Sequence, residues 1–153
     1  MAGTLGFMEC YSCKSLAGEM TISPGPPIFR GQYWQIEHAY PCGVKGWLVI
    51  VLTRHAEALH ELTTEEVAEL GQLMQKATAA LHQALGTSKE YIAAFGEAAH
   101  FNHVHVHVIA RAPDLPPGLK GPAIFDMLKV SREAAVAPGE IKSFCDELQA
   151  LFP

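Results

Sequence analysis

The stretch Phe101–Arg111, FNHVHVHVIAR, decides how the rest of the chain is read. His103, His105 and His107 alternate with Val104, Val106 and Val108, and Ile109 follows. Alternation of this length is the period of a β-strand, whose successive side chains point to opposite faces. A strand over Phe101–Ile109 carries three imidazoles on one face and core-forming valines on the other. Such a row has three physical readings: a histidine-rich surface strand, a set of metal ligands, or a row of catalytic imidazoles. Alternate residues stand about 6.8 Å apart along a strand, so His103 and His107 are about 13 Å apart. One flat strand therefore does not easily offer all three to a zinc ion that needs each nitrogen at about 2 Å. Two neighbours can share a metal, and one imidazole can act as nucleophile while the others orient or protonate.

Working outward, Glu90–Phe95 (EYIAAF) reads as a strand joined to the histidine strand by the short GEAAH connection, a hairpin. The apolar run Trp47–Leu52 (WLVIVL) has strand length and reads as the central strand. Strands are also expected at Ile28–Arg30 and Tyr33–Ala39, with a tight turn at Gly31-Gln32. Between the central strand and the hairpin the period changes. Thr63-x-x-Glu66 is a capping box, Val67, Leu70, Met74, Ala77, Leu81 and Leu85 form one apolar stripe, and Gly86 closes a long helix. After an extended loop with four prolines (Arg111–Pro122), helices are expected at Ala123–Val130 and Pro138–Phe152. Hairpin-connected strands with helices on one side read as an α+β fold with an antiparallel sheet.

At 153 residues the chain is expected to form a single domain, with a core over about residues 10–111 and a C-terminal loop and helices over 112–153. Residues 1–9 read as a loose lead-in. No apolar run approaches the ~20 residues needed to span a bilayer, and the N-terminus lacks the marks of a secretory signal. The expected location is cytoplasmic, with no membrane partner. Net charge is −5 without a basic cluster, which argues against duplex nucleic acid but not against a nucleotide.

Of four cysteines, only Cys10 and Cys13 are spaced as a motif, and Cys-x-x-Cys in a cytosolic chain points to metal or redox chemistry. Cys42 and Cys145 read as a loop thiol and an apolar filler. The HVHVHVI run meets the His-φ-His-φ-His-φ-φ signature, with φ hydrophobic, at every position. Together with Cys10, Cys13, Gly18, Glu19 and the strand WLVIVLTRH ending at His55, it makes the chain resemble histidine triad (HIT) proteins of the bacterial, zinc-bearing type from about Cys10 to Arg111.

That resemblance implies a HIT-like fold, a five-stranded antiparallel sheet with one long helix and a C-terminal helix. It implies a structural zinc held by Cys10, Cys13, His55 and His103, with His100 an alternative ligand, and no metal needed for chemistry. It further implies a nucleotide hydrolase or transferase in which His105 attacks the α-phosphorus, His107 binds phosphate oxygens, and a carbonyl fixes the His105 tautomer. Substrates of that chemistry are dinucleoside polyphosphates or nucleoside phosphoramidates. A nucleotidylyltransferase or phosphorylase, or a catalytically quiet nucleotide-binding protein, are the alternatives. Two departures from the family pattern stand out. EAAHFN replaces the usual run that helps protonate the leaving group, so His100 or Asn102 is expected there. The ribose-gripping acid looks replaced in WQIEHAYP, where His38 is nearest in position. Trp34 or Ile36 is expected against an adenine, and Arg111 is a possible phosphate contact. Relatives are commonly homodimers, and the helix Thr64–Leu85 and the strand before the triad offer apolar surface for a second copy.

Overall fold

The computed structural model describes residues 9–152, so the expected lead-in lies, up to residue 8, outside the described residues. Five strands form one antiparallel sheet: β1 (Phe29–Arg30), β2 (Trp34–His38), β3 (Trp47–Leu52), β4 (Lys89–Ala93) and β5 (His105–Arg111), in the order β1-β2-β3-β5-β4. The unbroken apolar β3 is central, as its composition requires. A short helix α1 (Tyr11–Leu16) precedes the sheet, α2 (Thr64–Leu85) crosses it, and α3 (Pro138–Gln149) packs near the C-terminus.

The capping signals act as read. Thr63 Oγ1 accepts from Glu66 N, Glu66 Oε2 accepts from Thr63 N, and Gly86 ends α2 at φ 63°. Helix α1 starts directly after Cys10, whose sulfur caps it by accepting from Cys13 N. The segment expected as a helix over Ala123–Val130 is a tighter 3₁₀ helix at Gly121–Leu128.

Register decides what each face of the sheet carries. Trp34 lies opposite Leu52, Ile36 opposite Ile50 and His38 opposite Leu48. The apolar ones among these, with Val106, Val108 and Ala110, form the core beneath α2 and α3, joined by Leu73, Leu81, Ile141, Phe144 and Leu148. Each fully buried side chain of this size contributes about 1.5–3 kcal/mol from removal of apolar surface from water. The other face carries Glu37 opposite Val49, Val49 opposite His107, and Val51 opposite His105. That face bears a cavity, while Trp47, Ile109, Ile124 and Cys42 close a smaller apolar cluster beside it.

The triad strand is shorter at its start than alternation suggests. The strand begins at His105, because His103 N donates to the Phe101 carbonyl and Val104 N to the Ala56 carbonyl; this takes residues 101–103 out of the ladder, while the Val104 carbonyl still accepts from Leu52 N. His103 is thereby released from the row.

Candidate active site and metal centre

His105 and His107 project from β5 into a cavity of about 330 Å³, a size suited to a small ligand. Ser12, Ile22, Glu37, Tyr40, Phe101 and Phe125 stand among its walls, with Phe95 at its rim. A second cavity of about 390 Å³ meets it at His105 and the 95–97 loop, and also carries Glu57, His60, Glu97 and Asn102. Among the described residues, neither cavity is lined by a lysine or an arginine.

Hydrogen bonds fix both imidazoles. A carbonyl oxygen only accepts, so the 2.6 Å contact between His105 Nδ1 and the His103 carbonyl puts a proton on Nδ1. Nε2 of the neutral ring then carries a lone pair. Trp47 Nε1–H only donates, so Nδ1 of His107, 3.0 Å away, is an acceptor and the proton of neutral His107 sits on Nε2. Burial lowers both imidazoles below their ordinary value, His107 to about 4, where neighbouring His105 adds to the shift. The two rings thus stay neutral near pH 7, one offering a lone pair and the other a donor, with centroids 5.1 Å apart.

His103 faces elsewhere. Its Nε2–H donates to the Leu52 carbonyl at 2.7 Å, leaving Nδ1 3.4 Å from Cys10 Sγ and 3.5 Å from Cys13 Sγ. His55 Nδ1 lies 3.3 Å from Cys13 Sγ, and its Nε2 lies 3.4 Å from Glu57 Oε1. The four ligand atoms all lie within 4.8 Å of one another. A zinc tetrahedron with Zn–S of about 2.3 Å and Zn–N of about 2.0 Å has an S···N edge of about 3.5 Å, so the donor set fits. Both histidines are oriented by a partner on their other nitrogen, as metal-binding imidazoles are. Without a metal, burial and then the neighbouring Cys10 push the Cys13 thiol up to about 12, so metal uptake must release protons.

Other expected site residues are placed differently. Trp34 and Ile36 are fully buried on the helix face, with Trp34 Nε1–H donating to the Glu66 carbonyl, and neither can meet a base. His38 borders the cavity, but its ring belongs to the helix face: Nδ1–H donates to the Ala39 carbonyl, Nε2 accepts from Gly46 N, and the ring edge meets Phe144. These three share the parity of Leu48, Ile50 and Leu52, which turns them away from the site. The residue that does face the cavity is Glu37, whose carboxyl accepts from Gln35 Nε2 and is raised by burial. His100 is also displaced from its expected place. It stacks on Tyr11 at 4.5 Å, its Nδ1 lies 3.3 Å from the Glu9 carbonyl, and it lines neither cavity. Asn102 does reach the second cavity. Arg111 ends β5 opposite Lys89, near Tyr91 and clear of both cavities. Glu37, Phe95, Glu97 and Phe125 are among the wall residues that sequence reading missed. Only for Glu37 was there a signal, since it is of opposite parity to Trp34 and Ile36.

A model of the HIT domain matches residues 37–114, about half of the chain, and the chain belongs to that family. Among solved structures it is similar to a histidine triad (HIT) protein from Sinorhizobium meliloti 1021, at 26% identity over 83% of this chain and 89% of that one, with a TM-score of 0.66. It is also similar to a Zn-bound histidine triad family protein from Mycobacterium smegmatis (21% identity, 84% and 94% coverage, TM-score 0.60). A Hit-like protein from Bartonella henselae shares the fold at 14% identity (90% and 92% coverage, TM-score 0.68). Comparison with curated proteins finds no match.

Proposed function

We propose that this HIT protein is a nucleotide hydrolase that carries a nucleotidyl group on His105 and acts on nucleoside phosphoramidates in preference to dinucleoside polyphosphates. The observation that carries the reading is the 2.6 Å bond from His105 Nδ1 to the His103 carbonyl, which leaves Nε2 as a nucleophile beside the Nε2–H of His107. In the first step Nε2 attacks the α-phosphorus, the bond to the leaving nitrogen breaks, and that nitrogen departs as an amine after taking a proton. Water then attacks the same phosphorus, the P–Nε2 bond breaks, and the nucleoside monophosphate leaves. Splitting one displacement into two is the logic of covalent catalysis, and His107 supplies a hydrogen bond where charge develops.

The preference for an amine rests on charge. Glu57 and Glu97 stand on the second cavity, and Glu37 on the first, with no lining cation to hold a chain of phosphates. A polyphosphate leaving group meets like charge there, and a protonated or neutral amine does not. Asn102, which lines the second cavity, is the proposed hydrogen-bond partner of the leaving amine. Glu37 is suited to accept from sugar hydroxyls, with Tyr40, Phe101 and Phe125 against the base. Cys10, Cys13, His55 and His103 would hold a structural zinc, which supplies a cross-link between α1 and the start of the triad. A second copy of the chain is the proposed partner. Exposed Ile92 on the free edge strand β4 and exposed Val67 on α2 support that reading.

The test is AMP release from adenosine phosphoramidate and from diadenosine polyphosphates by wild type and His105→Ala, with and without inorganic phosphate. Release from the phosphoramidate at least about tenfold faster, lost in His105→Ala, is the expected result. Faster turnover with phosphate present favours a phosphorylase. Binding of AMP without any release, in wild type and variant alike, makes the chain a nucleotide-binding protein.

A further inference from the structure

We propose that the Cys10–Cys13–His55–His103 centre, once it holds its metal, is a clamp that positions the nucleotide cavity and the tautomer of His105, in addition to stabilising the fold. The proposal rests on the reading of that cavity as a nucleotidyl-transfer site.

Two connections lead from the centre to the cavity. The first runs through His103, whose Nδ1 faces the two thiols while its carbonyl accepts the proton of His105 Nδ1. One residue therefore faces the metal with its side chain and orients the nucleophile with its backbone. The second connection runs through α1. Tyr11, between the two cysteines, donates its backbone N–H to the His100 carbonyl at 2.8 Å, stacks on the His100 ring and meets Phe101 edge-on. Ser12, the next residue, lines the cavity directly.

The segment these connections hold is the link between β4 and β5. It places Phe95, Gly96, Glu97, Ala98 and Phe101 on the cavity, yet it is not part of the sheet. Two of its backbone bonds are local, Phe101 N to the Ala98 carbonyl and His103 N to the Phe101 carbonyl. Its anchors outside itself include Tyr11 in the middle and His103 at the end. Helix α1 has six residues, too few to hold its own shape in water, so its place depends on what grips its cysteines. A thiol is a weak hydrogen-bond donor, whereas a thiolate–metal bond is a strong, directed link. Filling the centre thus converts a weak contact into a fixed one in the middle and at the end of the loop.

The experiment compares the full chain loaded with zinc and stripped by a chelator, with circular dichroism as the check that both are folded. Nitrogen-15 NMR of the imidazoles reads the His105 tautomer, hydrogen exchange reads the amides of residues 96–103, and calorimetry reads AMP affinity. With zinc, His105 is expected to show the Nδ1–H form alone and slow exchange in the loop. Without zinc, both tautomers appear, exchange quickens, and the AMP Kd rises about tenfold as the competent fraction falls to about a tenth. A second variant, Tyr11→Ala, keeps all four ligands; it is expected to bind one equivalent of zinc and still show faster exchange at residues 96–102. An unchanged tautomer with an AMP Kd within about twofold in the folded, stripped protein overturns the proposal. Should stripping unfold the chain, unchanged loop exchange in zinc-loaded Tyr11→Ala overturns it instead. If zinc-loaded wild type binds no AMP, the nucleotide reading fails, while tautomer and exchange still judge the clamp.

Discussion

Replacing Trp47 with phenylalanine isolates the hydrogen bond that sets the His107 tautomer. The indole is fully buried, donates to His107 Nδ1 at 3.0 Å, and meets the rings of His107 and Phe125 edge-on at 5.9 and 5.1 Å. Phenylalanine keeps much of the packing and removes the donor. The acceptor left bare in a dry site costs about 1–3 kcal/mol, and the smaller ring adds about 1 kcal/mol for the void. A fall in melting temperature of about 4–15 °C is therefore expected for a chain of this length. The bond also biases the tautomer by about 0.5–1.5 kcal/mol, a factor of about two to twelve in the population with Nε2–H. AMP release from adenosine phosphoramidate should fall in kcat/KM by a similar factor, and nitrogen-15 NMR should show neutral His107 as a mixture of the Nδ1–H and Nε2–H tautomers. Phe125→Leu serves as the control, altering ring packing without touching the bond. If His107 stays wholly Nε2–H in Trp47→Phe and turnover changes less than about twofold, Trp47 does not set that ring, and the reasoning fails.

Three further outcomes are expected. Arg54 bonds Glu66 at 2.6 and 2.9 Å, and chiefly through that contact holds its carboxyl at about 2, below the ordinary 4.5. A depressed folded pKa contributes stability that is present above about 4.5 and lost as pH falls toward 2. Allowing for the solvent-facing guanidinium, Glu66→Gln should cost about 1–2 kcal/mol at pH 7 in urea melts, with the difference from wild type shrinking below pH 4.5. Burial raises the Glu37 carboxyl above its ordinary 4.5, so AMP affinity should strengthen with pH as Glu37 ionises in wild type. Calorimetry of Glu37→Gln across the same range should lack that increment, and parallel curves would remove Glu37 from the sugar site. Gly46 has φ +89°, and a Cβ there would stand 2.7 Å from Leu85 Cδ1 and 2.9 Å from Ala110 Cβ. Gly46→Ala should cost about 2–4 kcal/mol, while Gly86→Ala, strained but with nothing near, should cost about 1–2 kcal/mol in the same denaturation assay.

What sequence alone determined was local and periodic. The alternation in HVHVHVI, the apolar run WLVIVL, the Thr63–Glu66 capping box and the stripe from Val67 to Leu85, of which Val67 stays exposed, each act within one element, where spacing along the chain is spacing in space. They yielded the strands, the long helix and the antiparallel α+β class. The grouping of Cys10, Cys13, His55 and His103 came from family resemblance, since nothing local links residues 93 positions apart. Tertiary structure decided which face each strand residue occupies. Trp34, Ile36 and His38 looked suited to a ligand, but pairing of β2 with Leu52, Ile50 and Leu48 of β3 turned them into the core and turned Glu37 to the cavity. The same holds for Phe125, which reaches His107 from the proline-rich tail, and for His100, held by Tyr11 instead of the active site. Parity is a property of one strand, but the side it selects depends on which neighbours and helices cover the sheet, and that is settled only by long-range packing.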